Sequence, residues 1–131
     1  MPLHTLDIWH KIVATRDAVA LDGLLADDVV FHSPVVHTPQ RGKVLTAAYL
    51  TAAIRVFSAG SFRYVREVVG IGDAVLEFEA ELDGILVNGV DMIKWNAEGR
   101  IVEFKVMIRP LKAIDLVHRR MAEMLASGRT P

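Results

Sequence analysis

Cysteine is absent from this chain. Neither a disulfide framework nor a thiolate zinc site can be built without it. An excess of one charge is also missing. Fifteen Lys and Arg stand against sixteen Asp and Glu, for a formal net charge of −1, which leaves no electrostatic footprint for nucleic acid or an anionic membrane. No apolar run is long enough to cross a bilayer, since the best stretch is broken by Asn88 and Asp91 and followed by Lys94. The opening MPLHTLDIWHK lacks a basic segment followed by an apolar run, so no signal peptide is expected and the protein reads as soluble and cytoplasmic. The histidines form no i, i+4 pair and have no carboxylate at motif spacing, so no metal site is expected. Gly70-Ile71-Gly72 is followed by no helix and reads as a turn rather than a phosphate loop. No cofactor is expected. Repeats, linkers and low-complexity segments are missing as well.

What remains is globular. A hydrophobic content of 52% over 131 residues suits a single domain spanning 1–131 with its own core. Leu3, Leu6, Trp9, Ile12 and Val13 recur at helical spacing, with Thr5 or Asp7 as candidate caps. A second short helix is expected from Val19 to Leu25, then a strand over Val29–Ser33 stopped by Pro34, then a loop from Pro34 to Gly42. Leu45, Tyr49, Ala53 and Phe57 mark a helix over Lys43–Phe57. Ser61 to Gly70 is β-rich, but its alternation breaks after Tyr64, which points to a bulge there. Val75 to Leu82 alternates apolar and acidic residues, as in a strand with one dry face. Leu76, Phe78 and Phe104 are expected inside, and Glu77, Glu79 and Glu81 outside. The chain closes with a helix over Leu111–Ala126 carrying Leu111, Ile114, Leu116, Val117, Met121, Met124 and Leu125, and a frayed end over 127–131.

The stretch from Asp83 to Pro110 organises the rest. It reads as two long strands joined by the turn Asn96-Ala97-Glu98-Gly99, with Gly99 at a positive-φ position, and Asp83-Gly84 is a two-residue hairpin turn before it. Strand alternation puts Gly89, Asp91, Ile93 and Trp95 on one face, with Val102, Phe104, Val106 and Ile108 beside them. Asp91 is then a carboxyl group in apolar surroundings, with Lys94 and Lys105 alternating away. Burial of that kind raises a carboxyl pKa, so Asp91 is expected to hold its proton near neutral pH. Helices followed by an antiparallel meander imply an α+β fold. A strongly twisted meander curls, and a helix laid across its concave side leaves a cone-shaped pocket, with Asp91 on the wall opposite Trp9 and Tyr49. Asp91 is the candidate catalytic residue. Trp9, Ser33, Tyr49, Leu76, Phe78, Phe104, Val106 and Ile108 are the candidate ligand contacts. Ser33 also suits a strand-end hydrogen-bonding role. His32 should face outward, and His37, on the loop near the pocket mouth, is an alternative acid or base. Lys105 and Arg109 read as convex-face residues.

LLADDVVFHSPVV followed by Arg41-Gly42-Lys43, and GVDMIKWNAEGRIVEF later on, resemble the nuclear transport factor 2-like superfamily, especially its ketosteroid isomerase and SnoaL-like members. The resemblance runs from about Trp9 to Ile108. It implies a curved antiparallel sheet wrapped around the N-terminal helices, a cystatin-like α+β barrel with a hydrophobic pocket, and a homodimer formed through the outer sheet face. The helix from Leu111 onward has no counterpart in the short isomerases. Asp91 falls on the isomerases' oxyanion-hole aspartic acid, which an apolar site keeps protonated so that it can donate a hydrogen bond. Ser33 falls on their general-base aspartate, and Trp9 on their oxyanion tyrosine. Two functions follow. One is a cofactor-independent isomerase, dehydratase or cyclase acting on a small, mostly apolar molecule through Asp91. The other is a non-catalytic ligand-binding or dimerisation domain with the same pocket.

Overall fold

A computed structural model describes residues 4–128. Helix α1 (Thr5–Thr15) is capped by His4, whose Nδ1 accepts the Leu6 N–H at 3.0 Å. This replaces the expected Thr5 or Asp7 cap. The Thr5 hydroxyl instead donates to the Gly99 carbonyl at 2.7 Å, tying the helix to the far hairpin turn. Leu3 lies outside the described residues. A 3₁₀ turn at Ala18–Ala20 leads into the single-turn helix α2 (Leu21–Leu24), and strand β1 (Leu25–His32) follows with no gap. The strand thus starts before its expected position at Val29, because Leu25 and Ala26 are buried in the sheet layer rather than ending a helix. The expected loop after Pro34 holds a further two-residue strand, β2 (Gln40–Arg41), paired to Val30 and Phe31. Helix α3 (Lys43–Ser58) comes next, followed by strands β3 (Ser61–Val69), β4 (Asp73–Leu82), β5 (Ile85–Trp95) and β6 (Ile101–Arg109), and finally helix α4 (Leu111–Gly128).

The strands form one curved, unclosed six-stranded sheet in the order β2-β1-β6-β5-β4-β3. Its β3-β4-β5-β6 portion is an antiparallel meander. The sheet is not antiparallel throughout, as the sequence had implied, because β1 runs parallel to β6. The connection between them runs through β2, α3 and strands β3 to β5, and a long crossover is what a parallel pair requires.

Local chemistry sets the two tight turns. Asp83 and Gly84 both have positive φ, 52° and 79°, the geometry that suits the right-handed twist of the flanking strands. In the second turn Asn96 Oδ1 accepts the N–H groups of Glu98 and Arg100, and Gly99 takes φ 77°. Along β4, Ala74, Leu76, Phe78, Ala80 and Leu82 are all buried, while Glu79 and Glu81 are exposed and Glu77 is half-buried. The register of β3 against β4 slips between Tyr64 and Arg66, so Val65 is an extra residue. Before the slip Tyr64 opposes Phe78; after it Glu67 opposes Leu76. Residues paired across strands share a face, so Tyr64 and Glu67, three apart in sequence, both point to the concave side. Gly89 supplies a close approach of another kind. A Cβ there would lie 2.5 Å from Phe78 Cζ and 2.6 Å from the Met107 carbonyl, so only glycine lets the Phe78 ring lie across β5.

Two clusters pack on the concave side. One joins α1 and α2 to β1, β5 and β6 through Trp9, Ile12, Leu21, Phe31, Ile93 and Phe104. The other joins α4 to the sheet through Phe78, Val87, Ala113, Leu116 and Val117. Leu111, expected on the packed face of α4, is 71% exposed. Ser127 and Gly128, expected in the frayed end, belong to α4, and residues 129–131 lie outside those described.

Candidate functional site

The helices do not fill the concavity. A cavity of about 880 Å³ remains between α1, α3, α4 and the sheet. Its wall is mostly apolar: Val13 from α1, Tyr49, Ile54 and Phe57 from α3, Phe62 and Phe78 from the sheet, and Met121 and Leu125 from α4. Phe31 stacks on Tyr49 at 5.4 Å between ring centroids, and Trp9 meets Phe104 edge-on at 4.9 Å, so the aromatic wall is held by its own contacts.

A hydrogen-bonded polar chain interrupts this wall. The Trp9 indole N–H donates to Tyr64 Oη at 3.0 Å, and the Tyr64 hydroxyl donates to Asp91 Oδ2 at 2.6 Å. All three side chains line the cavity. Trp9 is presented by α1, Tyr64 by β3 just before the Val65 bulge, and Asp91 by the centre of β5. Burial pushes the Asp91 carboxyl up from 3.8 to about 7, against a smaller downward pull from the Tyr64 hydrogen bond. Tyr64 is pushed well above the ordinary phenol value, first by burial and then by the neighbouring Asp91 charge. Near neutral pH Asp91 is therefore only partly ionised, while Tyr64 keeps its proton.

Of the expected contacts, Trp9, Ser33, Tyr49, Phe78, Phe104, Val106 and Ile108 line the cavity together with Asp91. Leu76 does not. It opposes Asp91 across β4 and β5 but is fully buried in the cluster with Ile12, Leu21 and Ile93, which closes over it. Ser33 Oγ accepts the N–H groups of Val35 at 3.1 Å and Val36 at 3.4 Å, which shapes the loop after β1. His32 is half-buried beside Glu103, with Nε2 and Oε2 3.7 Å apart. His37 is exposed and is not part of the wall, although its neighbour Val36 is. Arg109 lies on the outer face, where its Nε donates to Asn88 Oδ1 at 2.9 Å. Among the described residues no cluster of three His, Asp or Glu side chains is placed to hold a metal ion, and no helix is long and apolar enough to cross a membrane.

Sequence reasoning missed Tyr64, His10 and the contribution of α4. Tyr64 had a trace in the sequence, the broken alternation of β3. A tyrosine beside a bulge, on the face shared with a buried carboxyl, is a natural partner for it.

A curved sheet around helices, with an apolar cavity and a buried carboxyl on its wall, defines a class of small pocket domains of the nuclear transport factor 2-like superfamily. The chain belongs to its SnoaL-like domain family, whose model matches residues 7–104. A steroid delta-isomerase from Pseudomonas aeruginosa is 37% identical, with a TM-score of 0.89 over 94% of this chain and 90% of that one. An uncharacterised protein with a cystatin-like fold from Silicibacter pomeroyi is 32% identical, with a TM-score of 0.83 over 91% of this chain and 83% of the other. An NTF2-like protein of unknown function from Mesorhizobium loti, 22% identical over 81% of this chain and 91% of its own, shares the fold with a TM-score of 0.70. No curated protein matches the chain.

Proposed function

We propose that this protein binds a small, mostly apolar molecule carrying one carbonyl or hydroxyl oxygen, and that this oxygen seats against Tyr64 and Asp91. The carrying observation is the Trp9–Tyr64–Asp91 hydrogen-bond chain on a mostly apolar cavity wall. A few polar groups on a greasy wall fix orientation, while the wall supplies affinity. A carboxyl group titrating near 7 can give a proton to such an oxygen or stabilise charge growing on it. The chemistry this suits is a cofactor-independent proton shift beside a carbonyl: isomerisation, dehydration or cyclisation. The steroid isomerase relative supports that class. The alternative, a ligand-binding domain without turnover, is favoured by Ser33, whose hydroxyl oxygen accepts two backbone N–H groups and so serves the loop.

β-Naphthol and naphthalene test the reading, because they differ only in the oxygen. β-Naphthol should bind about tenfold more tightly, the value of one buried hydrogen bond. Tyr64→Phe should remove most of that difference and leave naphthalene unaffected. Equal binding of the two compounds to the unaltered protein, read by their fluorescence, would overturn the proposal.

The outer sheet face is the proposed seat of a homodimer. Val75 and Val90 are half-buried there, Met92 and Met107 are exposed, and Lys94, Glu103 and Lys105 supply charges of both signs around them. An apolar centre with a polar rim suits a self-complementary contact. Light scattering should give the dimer mass, and Met92→Asp should give the monomer. A monomer mass for the unaltered protein at high concentration would remove this assignment.

A further inference from the structure

The cavity has a second polar feature that the reading above does not use. His10, next to Trp9 on α1, lines the cavity, and its ring stands edge-on to Tyr64 at 5.3 Å between centroids. Its Nε2 lies 2.6 Å from Glu67 Oε1. A carboxylate only accepts hydrogen bonds, so the contact calls for a proton on Nε2, and the neutral form of the ring, the form that can act as a base, then carries its lone pair on Nδ1. Glu67 reaches His10 because of the Val65 bulge. In a regular strand, residues three apart face opposite sides. With the extra residue, Tyr64 and Glu67 are both concave, and bulges beside active sites commonly re-aim a side chain in this way. Both partners are partly open, with side-chain exposures of 34% and 38%, so a proton can leave to water. Among the described cavity-lining residues, Asp91 is the single carboxyl group, and it is engaged by Tyr64. The other histidine of the lining, His118, sits on an exposed part of α4.

We infer that His10 is the general base of the site and Glu67 its positioning residue, acting on a ketone whose oxygen is held by Tyr64 and Asp91. This rests on the proposed seat of that oxygen. His10 Nδ1 takes a proton from the carbon beside the carbonyl. The C–H electron pair becomes the new C=C bond, and the carbonyl π pair moves to oxygen, where the Tyr64–Asp91 pair stabilises it or supplies a proton. The imidazolium then returns its proton to carbon, at the same or the conjugated position; as the C=O bond re-forms, any proton lent to the oxygen goes back to the Tyr64–Asp91 pair, and the protein ends unchanged. No oxidant, metal or cofactor enters the balance. The arrangement has the logic of other carboxylate–imidazole pairs, in which the carboxylate fixes the tautomer and the ring orientation.

β-Tetralone in heavy water tests it. NMR follows deuterium entering beside the carbonyl, and β-naphthol binding is measured on the same samples. The unaltered protein should speed exchange well above the buffer rate. His10→Gln should remove about a hundredfold or more of that acceleration and change β-naphthol affinity less than twofold. Added imidazole should partly restore His10→Ala. Glu67→Gln should slow exchange about tenfold at saturating ketone with little change in half-saturation, whereas a merely structural loss would weaken β-naphthol binding in parallel. If β-naphthol binds but exchange is not accelerated, or if His10→Gln exchanges as fast as the unaltered protein, the base assignment is wrong and the oxygen seat survives. If β-naphthol does not bind as proposed, the seat falls and the base assignment falls with it.

Discussion

Asp91→Asn makes the fold more stable at and above neutral pH and leaves it nearly unchanged in acid. The carboxyl is buried and held at about 7 instead of 3.8. Between those values the unfolded chain has lost this proton and the folded chain keeps it. Unfolding therefore releases a proton, and stability falls as pH rises through that window, with the full loss above the folded value. The gap corresponds to about 4 kcal/mol. The asparagine amide has nearly the same shape and keeps an oxygen to accept the Tyr64 hydroxyl, but it does not titrate. It should recover most of that stability above about pH 7, less about 1 kcal/mol for a neutral rather than a charged acceptor. Urea melts of both proteins across the acid-to-alkaline range measure this directly. An unaltered protein whose stability does not decline through the window would mean that Asp91 is a solvated carboxylate, and the site as described would be wrong. In the same variant β-naphthol should bind more weakly, because an amide is a poorer donor than a carboxylic acid.

Phe78→Ala should cost about 3–5 kcal/mol. The ring is 1% exposed, packs edge-on against Phe57 at 5.5 Å and beside Phe62 at 5.1 Å, and lies over Gly89. The space left behind would open onto the cavity that the ring lines. The adjacent Glu79 points the other way. It forms an exposed pair with Arg63 at 3.0 Å, a contact the sequence did not reveal, and exposed pairs of this kind contribute roughly 0.2–1 kcal/mol. Glu79→Ala should therefore cost no more than that. Equal losses in denaturant melts would mean that the register of β4 is misassigned.

These two residues also show what the sequence could convey. Phe78 and Glu79 were legible because one face of β4 is dry and the other wet, and a period of two follows directly. The turns at Asp83-Gly84 and Asn96–Gly99 were legible because few residues tolerate positive φ. The placement of Asp91 in apolar surroundings followed from the same alternation. The parallel pairing of β1 with β6 was not legible, because it depends on how the chain crosses over the helices and not on any local pattern. Tyr64 was missed as the partner of Asp91 because the two meet diagonally across β4, a contact made by twist and a bulge. The amphipathic pattern of α4 says that one side packs; that Met121 and Leu125 close a cavity depends on the sheet's curvature.

The sheet does not close on itself, and β3 is its long outer edge. Such an edge offers unpaired N–H and C=O groups to any strand that drifts alongside, and Val65, Val68 and Val69 are exposed along it. Two copies zipped edge to edge would be the first step toward an insoluble fibre. Val65 stands against that outcome. The extra residue kinks the row of backbone groups where a second strand would need it straight, and Arg63, Arg66 and Glu67 flank it with charge. The single insertion that turns Glu67 toward His10 thus also guards the solubility of the chain, so deleting Val65 would both dismantle the imidazole pair and invite aggregation.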